Sequence, residues 1–79
     1  MALYKNGNYL TQSNDAAFDV DHKPGETPPH SGIYRCIGCG REIVAEQERS
    51  FPPQNHHTHT QSQGAILWRM IVYADHKPK

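Results

Sequence analysis

Two cysteines with two residues between them form the most informative motif of the chain. Cys36-Ile-Gly-Cys39 is followed by Gly40, and the turn inside such a motif aims both sulfurs and the nearby amides at one point, as a zinc knuckle requires. Glycine at positions 38 and 40 suits this turn because glycine tolerates positive φ and close approach of the backbone. Two thiolates are half of the four ligands that a structural Zn²⁺ takes. The motif therefore predicts a second ligand pair elsewhere in the chain.

Three histidines in a polar loop are the candidates for that pair. Sixteen residues separate Cys39 from His56, slightly more than the about 12–15 usual in zinc sites of this pattern. A tight turn like the first knuckle favours His56 and His59, whereas an extended loop would place His57 and His59 on one side, because side chains alternate along a strand. We predict a Zn²⁺ site formed by Cys36, Cys39, His56 and His59, with His57 as the competing ligand.

Other interpretations of these residues fit the chain less well. A redox CxxC usually begins a helix in a thioredoxin-like fold, for which this chain lacks the helices and the length. Haem attachment needs CxxCH, and position 40 is Gly. The histidines could also form only a solvated loop, with both cysteines as small core residues. His22, His30 and His76 are expected on the surface, with His30 as the reserve ligand.

The candidate site lacks the residues of a catalytic centre. A catalytic zinc keeps an open coordination position and usually has a carboxylate base nearby. No Asp or Glu occurs between Gln54 and Gln63, and the chain has no Gly-rich phosphate loop. We therefore predict a closed structural site and no enzymatic activity.

The elements that position these residues are predicted to be strands. Residues 32–36 alternate and are rich in β-formers, residues 41–45 return from the knuckle, and residues 65–74 form the best strand of the chain. The large apolar side chains are needed for the core: Ile33, Tyr34, Phe51, Ile66 and Trp68. The predicted fold is small and mainly β, with three or more short antiparallel strands and the metal between two loops.

The chain divides into three segments by composition. Residues 1–30 are polar and rich in turn formers, which predicts a loop-rich N-terminal arm, or alternatively an N-terminal strand that packs on the core. Residues 31–74 form the predicted β domain. Residues 75–79 form a charged C-terminal tail.

Composition limits the function further. The chain has 79 residues, 35% of them apolar, and a formal net charge of zero, so one small domain with a weak core is expected, and a metal would supplement that core. Zero net charge makes nucleic acid an unlikely partner. The longest apolar segment is shorter than the about 20 residues of a membrane span, and no secretory signal is visible at the N-terminus. These features predict a cytoplasmic monomer that contacts a protein partner and has no membrane contact.

The knuckle and its flanks also carry a family resemblance. Ser31-Gly-Ile-Tyr-Arg-Cys-Ile-Gly-Cys-Gly-Arg-Glu-Ile43, followed by Phe51-Pro-Pro53 and a ligand-rich loop, resembles small bacterial zinc-ribbon proteins. It is also similar to short uncharacterised bacterial proteins labelled protein L, which have P-P-Q-N-H-H at the second position. The resemblance covers residues 31–68, and Gln54 and His57 stand where an ordinary ribbon has its second cysteine pair. It implies a zinc-ribbon or rubredoxin-like fold and no particular activity.

These observations together predict a small bacterial structural zinc module that acts through protein contacts. One alternative is an accessory ribbon associated with nucleic acid. Another is a metal-handling or redox protein that uses the CxxC motif and the histidines for exchange.

Overall fold

A four-stranded antiparallel sheet is the main element of the fold. The computed structural model describes residues 1–53 and 56–75. Its strands are β1 (Asp21–His22), β2 (Gly32–Cys36), β3 (Glu42–Ala45) and β4 (Trp68–Tyr73), in the order β1-β4-β2-β3. Short 3₁₀ helices lie at Gly7–Tyr9, Ala16–Asp19 and Gln61–Gln63. The predicted small, mainly β class is confirmed. None of the helices in the described ranges has the length and apolar character needed to cross a membrane.

The hairpin of β2 and β3 presents the knuckle at its tip. Tyr34 pairs with Ile43, and Arg35 pairs with Glu42, so the chain reverses direction directly after Cys36. Strand β4 pairs with the other side of β2, where Cys36 lies opposite Trp68. The end of β2 is therefore held between two strands, which fixes the start of the knuckle.

The core lies on one face of the sheet, and Cys36 belongs to it. Its buried apolar residues are Tyr34, Cys36, Ala45, Phe51, Ile66, Trp68 and Met70. The prediction that Tyr34, Phe51, Ile66 and Trp68 are core residues is confirmed. Ile33 is only partly buried, because it points to the opposite face of β2 from its neighbour Tyr34.

The N-terminal segment contributes an edge strand and a buried histidine. In β1, His22 pairs with Trp68 of β4, and its side chain is 8% exposed. The prediction that His22 lies on the surface is wrong, because its ring stacks on Phe51 at 5.5 Å and meets Tyr34 edge-on at 5.9 Å. Stacked and edge-to-face ring pairs at such centroid separations are favourable packing arrangements. His76, also predicted on the surface, lies outside the described residues.

Candidate metal centre

The backbone around the knuckle fixes both cysteines relative to β4. The Gly40 amide donates to the Cys36 carbonyl at 2.7 Å, and the Cys36 amide donates to the Arg41 carbonyl at 2.7 Å. The Ile37 amide donates to the carbonyl of Leu67 at 3.0 Å, which ties the knuckle to the residue that precedes β4. Gly40 has a φ of +84°, a conformation that glycine adopts without strain.

A second loop, formed by residues 56–64, faces the knuckle. Its end is a tight turn in which the Thr60 amide donates to Oε1 of Gln63 at 2.8 Å and the Gln63 amide donates to the Thr60 carbonyl at 3.1 Å. Gly64 follows with a φ of +74°. This turn brings the Gly64 carbonyl oxygen to 2.8 Å from Nδ1 of His59. A carbonyl oxygen only accepts hydrogen bonds, so Nδ1 of His59 donates.

The two loops are in direct contact at Gly38. A Cβ atom at this position would lie 2.5 Å from the Gln63 carbonyl oxygen and 2.8 Å from Cε1 of His59. Both distances are shorter than van der Waals contact. Glycine at position 38 therefore permits the second loop to approach the knuckle.

Four donor atoms converge between the loops. They are Sγ of Cys36, Sγ of Cys39 and one ring nitrogen each of His57 and His59, and they all lie within 4.8 Å of one another. Nε2 of His59 is 3.2 Å from Sγ of Cys36, Nε2 of His57 is 3.3 Å from Sγ of Cys39, and the two Nε2 atoms are 3.0 Å apart. Both cysteines are free thiols. Cys36 is buried, His57 and His59 are half-buried and Cys39 is exposed.

Three of these separations are close to those of a tetrahedral zinc site. With Zn–S bonds of about 2.3 Å and Zn–N bonds of about 2.0–2.1 Å, ligand atoms at the corners of a tetrahedron lie about 3.3–3.8 Å apart. The three separations given above are a few tenths of an ångström shorter. Two thiolates and two imidazoles are also a donor set typical of structural zinc.

Of the histidines named from the sequence, the structure brings His57 and His59 into the group of four. His56 lies beside the group, with its Nδ1 atom 2.8 Å from Nδ1 of His57. The reserve ligand His30 lies elsewhere, with its ring 4.9 Å from the ring of Tyr73. The two histidines at the centre, His57 and His59, are thus the pair that an extended loop favours.

The ring of Trp68 lies beside the candidate site, a position that the ligand motifs do not indicate. Its ring is fully buried, and the rings of His56 and His57 meet it edge-on at 5.8 and 5.7 Å. Alternation along residues 65–74 indicated that Trp68 is buried but gave no contact with the histidine loop. The Gly64 carbonyl contact was likewise not predicted, because no side-chain pattern marks it.

The surroundings favour the protonation states that bind metal. Burial lowers the pKa of His57, and the positive fields of His59 and Arg41 lower it further. Burial raises the pKa of the Cys36 thiol, but backbone hydrogen bonds from Gly38 and Cys39 oppose it, and the resulting pKa is below its ordinary value. A neutral imidazole and a thiolate are the ligating forms.

Among curated proteins, the chain is similar to Protein L of Escherichia coli. The two sequences are 55% identical over 56 residues, which is 71% of this chain. The matched segment spans 63% of the length of that relative. No protein-family model and no solved structure matches the chain.

Proposed function

We propose that the chain is a structural zinc-binding module whose ligands are Cys36, Cys39, His57 and His59. The observation that carries the proposal is the convergence of these four donor atoms within 4.8 Å. A weak core supports it as well, since only 35% of the residues are apolar, and small domains of this kind use a metal to supplement burial.

The hydrogen bond of His59 argues for a cation between the loops. Because Nδ1 of His59 donates to Gly64, a neutral His59 directs the lone pair of Nε2 toward the centre. That lone pair faces the sulfur of Cys36, whose lowered pKa favours the thiolate. The lone pair of His59 and the negatively charged sulfur of Cys36 repel each other when nothing lies between them. A divalent cation between the loops removes this repulsion, because both groups then donate to it, as do Cys39 and His57.

The donor set supports a structural role and no catalytic one. Four protein ligands fill a tetrahedron, whereas a catalytic zinc has three protein ligands and an open position. The group found in the described part of the chain consists of cysteine and histidine, with no carboxylate to act as a base. We therefore propose that the ion crosslinks the two loops.

The placement of the ligand pairs supports a zinc-ribbon arrangement. One pair lies at the tip of the hairpin formed by β2 and β3, and the other lies in the loop before β4, which pairs with β2. Because Cys36 lies opposite Trp68, both pairs lie at the same end of the sheet, where an ion held by both loops would join them.

Compartment and partner follow from the same chemistry. Thiolate ligands persist where thiols stay reduced, so we propose a cytoplasmic location. We further propose that the module acts through contacts with a protein. Three of its four arginines support this over nucleic acid, because Arg35, Arg49 and Arg69 lie within 3.3 Å of carboxylate oxygens.

One observation favours metal handling as a second candidate. Cys39 is exposed at the edge of the site, so an incoming chelator or thiol could reach the ion from that side. The exchange rate distinguishes the candidates: a structural site should exchange ⁶⁷Zn slowly, and a handling site should exchange it rapidly.

Chelation followed by NMR tests the structural proposal. One Zn²⁺ should bind per chain, and removing it with a strong chelator should collapse the dispersed amide signals of residues 31–73, because metal binding is coupled to folding in such modules. Unchanged amide dispersion after complete metal removal would contradict the proposal.

A further inference from the structure

We infer that His56 is a positioning residue of the metal centre: it accepts a hydrogen bond from Nδ1–H of His57 and thereby directs Nε2 of His57 to the ion. This inference rests on the proposed zinc site. Its direct observation is the separation of 2.8 Å between the two Nδ1 atoms, a distance at which one nitrogen must donate and the other accept.

The ligand role of His57 decides the direction of this hydrogen bond. A neutral imidazole carries a single proton, on one of its two nitrogens. If Nε2 of His57 binds metal, its proton resides on Nδ1, and that N–H faces Nδ1 of His56. His56 then accepts at Nδ1 and carries its own proton on Nε2.

The other imidazole ligand uses the same device. Nδ1 of His59 donates to the Gly64 carbonyl, which fixes the tautomer with a free Nε2. Metal-binding histidines generally donate their second N–H to an acceptor in this way, and the acceptor sets ring orientation and basicity. His56 thus accepts the hydrogen bond from Nδ1 of His57, as the Gly64 carbonyl accepts the one from Nδ1 of His59.

Trp68 holds the hydrogen-bonded pair in place. The rings of His56 and His57 meet its indole edge-on, with interplanar angles of 73° and 70°. Because Trp68 is fully buried, it is a rigid surface against which both imidazoles are oriented. His56 itself is exposed, so its substitution removes little buried area.

Three variants separate a positioning residue from a ligand. His56→Ala should lower Zn²⁺ affinity about 10- to 100-fold, the range for loss of an outer hydrogen-bond partner, while one metal still binds per chain. His56→Asn should restore most of the affinity, because Oδ1 of Asn can occupy the position of Nδ1. His57→Ala removes a ligand and should cost more than His56→Ala. Chelator competition measures all three.

Cobalt substitution gives a readout that depends on ligand identity. With Co²⁺ as the probe, the parent and His56→Ala should share the visible spectrum of a site with two sulfurs and two nitrogens, and His57→Ala should shift it. In zinc-loaded parent protein labelled with ¹⁵N, we expect His57 protonated at Nδ1, His56 protonated at Nε2, and a scalar coupling between the two Nδ1 atoms across the hydrogen bond.

The outcomes distinguish failure of this inference from failure of the proposed function. If His56→Ala shifts the cobalt spectrum and His57→Ala does not, His56 is the ligand and the inference is wrong, although the zinc site stands. Parent-like affinity of His56→Ala, or His57 protonated at Nε2 in the loaded protein, would also overturn it. If the parent binds neither Zn²⁺ nor Co²⁺, the proposed function itself fails.

Discussion

The carbonyl oxygen of Gly64 lies 2.8 Å from Nδ1 of His59. The turn at residues 61–63 and the positive φ of Gly64 bring the chain back on itself to make this contact. The other nitrogen of the same ring lies 3.2 Å from the sulfur of Cys36. His59 therefore connects the second loop to the core, because Cys36 is part of that core.

From this connection we predict that His59→Ala loses more zinc affinity than the other imidazole variants. The substitution removes a ligand next to buried Cys36, where water has little access, whereas His57 faces exposed Cys39 and water can replace it. We expect zinc affinity to fall by more than about 100-fold, the upper end of the range for losing a hydrogen-bond partner of a metal ligand. Chelator competition measures it.

The control for this series is His30→Ala, because His30 lies outside the group of four and contacts Tyr73. Its zinc affinity should equal that of the parent. Parent-like binding by His59→Ala would show that the ligand set is wrong.

Gly38→Ala tests the contact between the loops. The added methyl group would lie 2.5 Å from the Gln63 carbonyl oxygen, so the second loop must move away from the knuckle. Such overpacking costs about 1–3 kcal/mol in free energy of unfolding, and zinc affinity should fall with it. Thermal unfolding and chelator competition give the two quantities.

Gly7→Ala is the matched control for that substitution. The nearest atom to its added methyl group would be Cε2 of Tyr4 at 3.4 Å, an ordinary contact in an exposed turn. Stability should change by less than about 0.5 kcal/mol. If Gly38→Ala behaves like Gly7→Ala, the loops do not approach each other as described.

Strands β2, β3 and β4 could be predicted from the sequence because their patterns are local, whereas β1 (Asp21–His22) lies in the segment predicted to be a loop-rich arm or, alternatively, an N-terminal strand. Alternation marked β2 and β4, and Trp68 and Met70 of β4 are buried as that alternation requires. Burial of His22 was not predicted, because it depends on Phe51, a residue distant in sequence whose ring covers the imidazole. Local polarity around His22 indicated only a surface position.

The knuckle could likewise be predicted, but the pairing of the histidines could not. The spacing of Cys36 and Cys39 defines a turn of known shape, and its glycines are consistent with it. In contrast, His56 and His57 are neighbours of equal chemistry. Which of them faces the cysteines depends on the path of the second loop, and this path is set by contacts with Gly38 and Trp68.

Acid should release the metal. The pKa of His57 lies below its ordinary value of 6.5, so the neutral imidazole stabilises the fold fully above that pH, and this contribution is lost as pH falls through the lower folded pKa. The stabilising contribution of the Cys36 thiolate is also lost as pH falls, since its pKa is lowered as well. Protons then compete with Zn²⁺ at both ligands.

We expect zinc to be retained at neutral pH and to be gone at about pH 3. Metal content after desalting at stepwise lower pH measures the release. Retention of zinc at the acid end would be incompatible with a site made of thiolates and imidazoles.

Duplex DNA should bind weakly. Arg35 lies 3.1 Å from Glu42, and Arg69 lies 2.8 Å from Asp21, so these arginines already face negative charge. We expect a Kd no tighter than the about 10⁻⁴–10⁻⁶ M of non-specific binding at physiological salt. Fluorescence anisotropy of a short labelled duplex measures it, and Asp21→Asn, which frees Arg69, should strengthen binding. Submicromolar, salt-dependent affinity of the parent would contradict this prediction.

Native mass spectrometry of the purified chain tests the zinc site most directly. The account predicts one Zn²⁺ per chain, lost from Cys36→Ser and Cys39→Ser because a hydroxyl is a poor zinc ligand at neutral pH. The parent should recover a single ion when zinc is returned after chelation. A parent protein that stays metal-free in the presence of zinc, or both serine variants holding the ion as the parent does, would contradict it.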